Sequence, residues 1–514
     1  MKALLIHPEF SPHGFWNYKQ VCRLAGAKYP AAPLGLITVA ALLPHEWTIR
    51  LVDMNSATLR DEDISWADLV FIGGMLPQQV GLLNLIARIH RLERKVVVGG
   101  PDPTSQPWVY ADADYLVLGE GECSIPSFLE GLEMQAERGV YPPCNLRPDI
   151  TTSPVPRFDL LKFKDYLMIG IQLTRGCPFN CEFCDIIELY GRTPRSKTPN
   201  QIIEELESLY NLGYRGHVDF VDDNFIGNRK RLKETLIEIK RWSVAHRHPF
   251  YFSTEASINL ADDRELLELM RDLDFRYVFV GIETADEQLL RSSNKSQNLH
   301  RDLLQDLEKL YAHGIIVNGG FIVGFDNETC TSARSIADLV ENGKICMAMV
   351  GLLHALPNTQ LTRRLHREGR LLEDSNRLAD DATAGEDQTT MGLNFTTLRP
   401  RDDVLRDYLH VVRNIYAANH YFRRCLQLAR SLRPRQLHKP SLTETAGMLL
   451  AFVRVAMRLG ILPPVAYYFW RNIFVVLAVR PTCIEPMVNL MGMYIHFQKQ
   501  SAHIVRSVRT RPRV

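Results

Sequence analysis

Three cysteines fall within eight residues of the stretch TRGCPFNCEFCD: Cys177, Cys181 and Cys184, spaced Cys-x-x-x-Cys-x-x-Cys. Thiolates this close can hold three corners of an iron–sulfur cube and leave the fourth iron open. An open iron is what a cluster needs if it is to bind and reduce a ligand. Two plainer readings compete. A structural zinc site takes four protein ligands in separated pairs, and the chain has no second Cys-x-x-Cys. Disulfides inside the loop are disfavoured, because thiols three or four residues apart pair poorly and the chain reads as cytosolic. The other seven cysteines (Cys22, Cys123, Cys144, Cys330, Cys346, Cys425 and Cys483) are scattered and read as reduced, partly buried thiols.

A cluster loop needs a rigid base. The apolar run Ile169 to Leu173 just before it reads as a buried strand, which puts the thiols at a strand's carboxyl end. Five further strand–helix units follow, with strands at Val218 to Val221, Tyr251 to Ser253, Tyr277 to Val280, Ile315 to Val323 and Met347 to Leu353. Six units make an incomplete β/α barrel, and polar residues gather at the strand ends, where barrel sites form. These are Asp222-Asp223-Asn224, Thr254-Glu255, Gly281-Ile282-Glu283 and Gly324-Phe325-Asp326. The plainer reading of each acidic strand end is a helix N-cap. Asp223 and Glu283 are the preferred exceptions, as cleft carboxylates facing a cofactor. Arg175, Arg192, Arg195 and Lys197 bracket the cysteines and read either as neutralising a carboxylate or the cluster's sulfides, or as a solvated basic loop.

Ahead of this barrel, Lys2 to about Leu132 alternates strand and helix patterns, the signature of a doubly wound parallel sheet. Its strand ends carry Gly73-Gly74-Met75, Gly99-Gly100-Pro101 and Gly119-Glu120-Gly121-Glu122. Each alone is a tight turn. Three in register let backbone approach a ligand beyond the strand ends. No G-x-G-x-x-G is present, so a dinucleotide is disfavoured.

The 514 residues are ordinary in composition, 46% hydrophobic and 23% charged, and suggest about three domains. The net charge of +1 hides an asymmetry: from Tyr421 onward there are fifteen Lys and Arg against two Glu. This tail is helical in pattern, over Asp402 to Leu432, Thr443 to Leu459, Val465 to Val479 and Pro486 to Arg506. Val465 to Val479 is too short for a confident membrane span and is broken by Arg471 and Asn472. It reads as a buried bundle helix or a membrane contact. The positive field, with Tyr467, Tyr468 and Trp470, favours an anionic membrane surface. RNA is the rival partner, but no recognisable nucleic-acid-binding module is present. Arg363 to Thr390, polar and including Ala379 to Thr390, reads as a flexible connector. The N-terminus lacks a secretory signal's apolar core, so a cytoplasmic location, peripheral at the inner membrane face, is expected.

The order of glycine-marked sheet, three-cysteine barrel and basic helical tail resembles the cobalamin-dependent radical S-adenosylmethionine enzymes over about 350 residues. Phe183 before the last cysteine fits that family, while Glu9-Phe10 to Trp16 and Pro33-Leu34-Gly35 are similar to the branch with a C-terminal helical domain. That branch includes the hopanoid 2-methylases and the bacteriochlorophyllide methylases. The resemblance implies an α/β fold: a cobalamin-binding parallel sheet at residues 1–132, a linker at 133–164 and a partial (β/α)6 radical S-adenosylmethionine barrel at 165–358. A connector at 359–400 and a basic α-helical domain at 401–514 complete it.

It further implies a 4Fe-4S cluster on Cys177, Cys181 and Cys184, and S-adenosylmethionine at Asp223, Glu255, Glu283, Gly324 and Asp326. Methylcobalamin would lie over Gly73, Gly74, Met75, Gly99, Gly100, Gly119 and Glu120. Two departures stand out: Asp222-Asp223-Asn224 replaces the family's Gly-Gly-Glu, and Asp53-Met54-Asn55-Ser56 offers no His to the lower face of cobalt. The implied reaction is methylation of an unactivated carbon of a small-molecule or lipid acceptor, of the hopanoid type, with an external electron donor. A tetrapyrrole methylase, a radical cyclase and a non-catalytic iron–sulfur protein are the alternatives. If the resemblance holds, the strand ends of the two α/β units face one another.

Overall fold

The computed structural model describes residues 1–144, 147–372, 389–390, 392–461 and 463–510. Of the connector read at Arg363 to Thr390, residues 373–388 lie outside the described residues, and its first residues belong to the helix Gln360–Arg367.

The N-terminal sheet is parallel throughout. Its strands are β1 (Lys2–His7), β3 (Thr48–Asp53), β4 (Leu69–Gly73), β5 (Lys95–Gly99), β6 (Tyr115–Val117) and β7 (Gly139–Tyr141), in the order β3-β1-β4-β5-β6-β7. Both faces are buried because apolar residues run continuously and alternate sides. Ala3, Leu5, Leu69 and Phe71 pack with Ala40, Ile125 and Phe128 from helices Leu34–Leu42 and Gly121–Glu133. Leu4, Ile6, Val70 and Ile72 pack with Ile64, Leu82 and Ile86 from helices Asp61–Trp66 and Gln79–Arg91. The doubly wound sheet is thus present, and its sixth strand, β7, comes from the segment 133–164 expected as a linker.

The second sheet, also parallel, runs β15-β14-β13-β12-β11-β8-β2. Its members are β8 (Tyr166–Ile171), β11 (Gly216–Phe220), β12 (Phe250–Ala256), β13 (Phe275–Glu283), β14 (Ile316–Val323) and β15 (Ala348–Leu352). These six are the expected partial barrel. A seventh, β2 (Tyr29–Ala31), leaves the N-terminal segment and pairs with β8, tying the two units together at the barrel's edge. A short antiparallel hairpin, β9 (Thr174–Arg175) with β10 (Arg195–Ser196), brackets the cysteine loop.

After the short helix Gln360–Arg367, the described residues form five more α-helices: Arg401–Ile415, Ala418–Ser431, Leu442–Leu459, Val465–Val479 and Ile484–Thr510. The first, second and last share the barrel's core through Tyr408, Val412, Tyr421, Phe422 and Phe497. Tyr416 donates from its hydroxyl to the Ala348 carbonyl at 2.6 Å, docking this bundle on β15. Phe497 packs at a tilt against Phe15, ring centroids 5.2 Å apart, carrying the last helix back to the N-terminal segment. No helix among the described residues is long and apolar enough to cross a membrane. Cys123 and Cys144, expected as scattered thiols, lie side by side with their Cα atoms 6.3 Å apart.

Candidate active site

The cysteine loop is held at its base by buried carboxylates. Asp222 accepts the Leu173 and Thr174 N–H groups at 2.8 and 3.0 Å and the Thr174 hydroxyl at 2.7 Å. Asp223 accepts the Gly176 N–H at 2.6 Å. Gly176 takes φ +93°, and a Cβ there would meet the Gly191 carbonyl at 2.9 Å, so the turn into the first cysteine requires glycine. Burial pushes Asp222 up to about 7 and Asp223 up to about 6, against the hydrogen bonds they accept.

Two side-chain amides point at the thiols: Asn224 Nδ2 lies 3.8 Å from Cys177 Sγ and Gln297 Nε2 lies 3.6 Å from Cys181 Sγ. Lys295 is buried beside the same loop. Burial works against its charge, but Glu283 and the sulfurs of Cys181 and Cys184 outweigh it and hold the amine protonated. Amide donors and one cation around half-buried thiols are the surroundings that thiolate ligands of a cluster need. Among the described residues no three His, Cys, Asp or Glu groups converge on a single ion. A four-iron cube does not ask for that, since each thiolate takes its own iron.

Glu283, expected as a cofactor contact, is paired within the protein. Its Oε1 accepts Lys295 Nζ at 2.6 Å, and its backbone takes φ +67°. A bulky residue in that conformation stores strain, which collects at working sites. Gly324 and Asp326 do not line the central cavity. Gly324, at φ +107°, packs against Leu393. Asp326 accepts Arg370 Nη2 at 2.6 Å and Arg364 Nη1 at 2.8 Å. Arg364 also holds Glu182, between the second and third cysteines, at 2.5 Å. Asp326 therefore anchors the cysteine loop through Arg364, a link the sequence reading missed.

Three of the four flanking basic residues pair with carboxylates and not with sulfur, while Arg192 is exposed and donates to the Pro178 carbonyl at 3.3 Å. Arg175 donates to Glu120 at 2.6 Å and to Glu122 at 3.0 Å, and Arg195 grips Glu120 with two bonds of 2.9 Å. Lys197 forms a buried pair with Glu205. Glu120, at the end of the β6 unit, thus bridges the two sheets.

Between the facing strand ends lies a cavity of about 2060 Å³. Its floor includes Gly73, Gly74, Met75, Gly99, Gly100 and Gly119, and its far wall includes Asp223 and Glu255. At the five glycines the floor is bare backbone. A Cβ on Gly99 would meet the Val117 carbonyl at 2.8 Å, and one on Gly119 would meet Pro143 at 2.9 Å. A flat polar-backbone floor of this breadth fits a large planar cofactor. His7, at the end of β1, lines the same space, and its Nδ1 has no hydrogen-bond partner among the described residues. The sequence signal was there, His7-Pro8 directly after the first strand. Glu255 is open to the cavity yet deep in the protein, so only what fills the cavity reaches it. Burial, then repulsion from Asp219, Asp223 and Asp222, pushes it up to about 8. An apolar part of the remaining wall comes from the C-terminal helices: Met448, Leu449, Phe452, Val455, Val488 and Met493.

Residues 171–340 match the Radical SAM superfamily, and residues 359–510 match a domain of unknown function. The chain is 40% identical over 512 residues to an uncharacterized methyltransferase of Synechocystis sp., covering 98% of this chain and 93% of that protein. It is 39% identical over 347 residues to the hopanoid C-2 methylase of Rhodopseudomonas palustris, covering 67% of this chain and 66% of that one. Among solved structures, the radical S-adenosylmethionine methyltransferase TsrM of Kitasatospora setae, with cobalamin and a [4Fe-4S] cluster bound, superposes with a TM-score of 0.63 at 16% identity. That match covers 94% of this chain and 99% of that one, and it shows a shared fold.

Proposed function

The chain belongs to the radical S-adenosylmethionine methyltransferases, alongside the hopanoid C-2 methylase, and from that membership we propose that it methylates an unactivated carbon of a polycyclic lipid of the hopanoid class, with cobalamin as methyl carrier. The observation that carries this reading is one shared cavity with a glycine floor on one side, Asp223 and Glu255 on the other and an apolar wall between. When bound, the cluster, S-adenosylmethionine and cobalamin together supply one-electron cleavage of a sulfonium, hydrogen-atom abstraction and methyl delivery. An external one-electron donor restores the cluster.

The protein's part is placement and exclusion of water. Cys177, Cys181 and Cys184 would hold the cluster, with Asn224, Gln297 and Lys295 supporting their sulfurs. Asp223 and Glu255 face the space where S-adenosylmethionine would lie, and Gly73 to Met75, Gly99, Gly100 and Gly119 would seat cobalamin, with His7 at the edge of that floor. Met448, Phe452, Val455 and Val488 would clasp an apolar acceptor by burial of its surface. The same reading sets the protein on a membrane rather than through it.

The test is anaerobic turnover with methyl-labelled S-adenosylmethionine and total lipid and pigment extracts. Label in a polycyclic lipid, with a mass gain of one methylene, is the expected result. Label in a tetrapyrrole would overturn the lipid assignment, and 5′-deoxyadenosine without methylated product would favour a cyclase.

A further inference from the structure

Two consecutive helices of the C-terminal domain, Leu442–Leu459 and Val465–Val479, present apolar side chains that no other described residue covers. Leu449 is 64% exposed, Tyr467 67% and Phe474 65%, and Leu450, Val453, Met457, Ile461, Leu477 and Val479 are exposed with them. The Trp470 indole N–H donates to the Gly460 carbonyl at 3.0 Å, closing the two helices into a hairpin. A contiguous apolar surface of this kind marks an interaction site. The charge around it says with what. Glu444 is the one acidic residue from Lys439 to Val479, while Lys439, Arg458 and Arg471 are exposed. Basic side chains beside an exposed apolar and aromatic face suit an anionic bilayer interface.

A second observation ties this face to the cavity. Met448 and Leu449 both line the cavity and are exposed, so the cavity opens at this helix. We propose that the hairpin Leu442–Val479 docks on an anionic lipid bilayer and that the mouth beside Leu449 is where a membrane-borne acceptor passes into the cavity. The docking stands on the exposed surface alone; the passage of acceptor rests on the function proposed above.

The experiment is co-sedimentation of the full cluster-loaded protein with vesicles of mixed phosphatidylglycerol and phosphatidylcholine, and with phosphatidylcholine alone. Wild-type protein pellets with the anionic vesicles. The double substitution Leu449→Ser/Phe474→Ser lowers the bound fraction about tenfold or more, the loss expected when two large apolar side chains leave the interface. Arg458→Gln/Arg471→Gln lowers binding to anionic vesicles and leaves the phosphatidylcholine result unchanged. Wild-type protein that stays in the supernatant, or equal binding by both double variants, overturns the proposal. So does light scattering that shows a wild-type dimer converted to monomer by the apolar substitutions, which would assign the face to a second copy. If the apolar variant does not fold, judged by its thermal transition, the arginine pair and the two vesicle types decide. Formation of 5′-deoxyadenosine in detergent-free solution reads the chemistry separately, so failure of docking and failure of the methylase assignment are told apart.

Discussion

Arg175, two residues before the first cysteine, meets Glu122 from the other α/β unit with Nη2 3.0 Å from Oε1. Both side chains are nearly excluded from solvent, and the guanidinium also holds Glu120 at 2.6 Å. Burial alone would raise the Glu122 carboxyl, but the Arg175 hydrogen bond and charge outweigh it and hold Glu122 at about 2. The contact sets the glycine floor opposite the cysteine loop. Arg175→Met leaves two buried carboxylates short of a partner, a change that costs about 3–5 kcal/mol. Denaturant unfolding should show that loss, together with reduced cobalamin retention at intact iron content. Full retention of cobalamin would mean that the pair stabilises without aligning the two units.

The thiols make a separable prediction. Cys177→Ala, Cys181→Ala and Cys184→Ala should each remove the brown cluster absorbance and most of the iron after anaerobic reconstitution. Cys330→Ala should leave both intact, because that thiol is exposed on a different helix. Iron content that stays the same across all four variants would place the cluster elsewhere.

How much of this was legible beforehand follows from the range of each interaction. The cysteine spacing, the strand runs and the glycine-marked ends are local patterns, and each reappears in the fold. The barrel strand at Ile316–Val323 and the helix at Val465–Val479 stand close to where their apolar runs put them. The fate of the charged residues was not legible. Asp326 lies 38 positions from Arg364, and Glu122 lies 53 from Arg175, so no local signal pairs them. Without those partners a carboxylate at a strand end looks free. β2 is three residues long, too short to show a period. The open face of the C-terminal hairpin was equally hidden, since a buried apolar helix and an uncovered one read alike until the neighbours are known.

Arg364 should matter to the cluster without touching it. Arg364→Leu frees Glu182 on the cysteine loop and Asp326 behind it, leaving both carboxylates without that donor. Loss of such a bond costs about 1–3 kcal/mol. The expected signature is faster cluster loss in air than in the wild-type protein, by absorbance, at a thermal midpoint only a few degrees lower. Unchanged cluster lifetime would show that the loop holds its shape without this anchor.

Glu328 predicts a pH dependence of stability remote from the cysteines. Its side chain is buried, its Oε2 accepts the Gly324 N–H at 2.7 Å, and its Oε1 has no hydrogen-bond partner among the described residues. Burial pushes its carboxyl from 4.5 up to about 7, with the Gly324 N–H and Arg399 pulling the other way. Across that window the folded chain keeps a proton that the unfolded chain has released. Its contribution is therefore full below 4.5, falls as pH rises, and is lost once pH passes the folded value near 7. The whole change is worth about 3 kcal/mol. Glu328→Gln stays neutral throughout, so its thermal midpoint should match wild type at acid pH and exceed it increasingly up to neutrality. Parallel curves for the two proteins would mean that the carboxyl ionises in the fold at its ordinary pH, with its charge satisfied by Arg399.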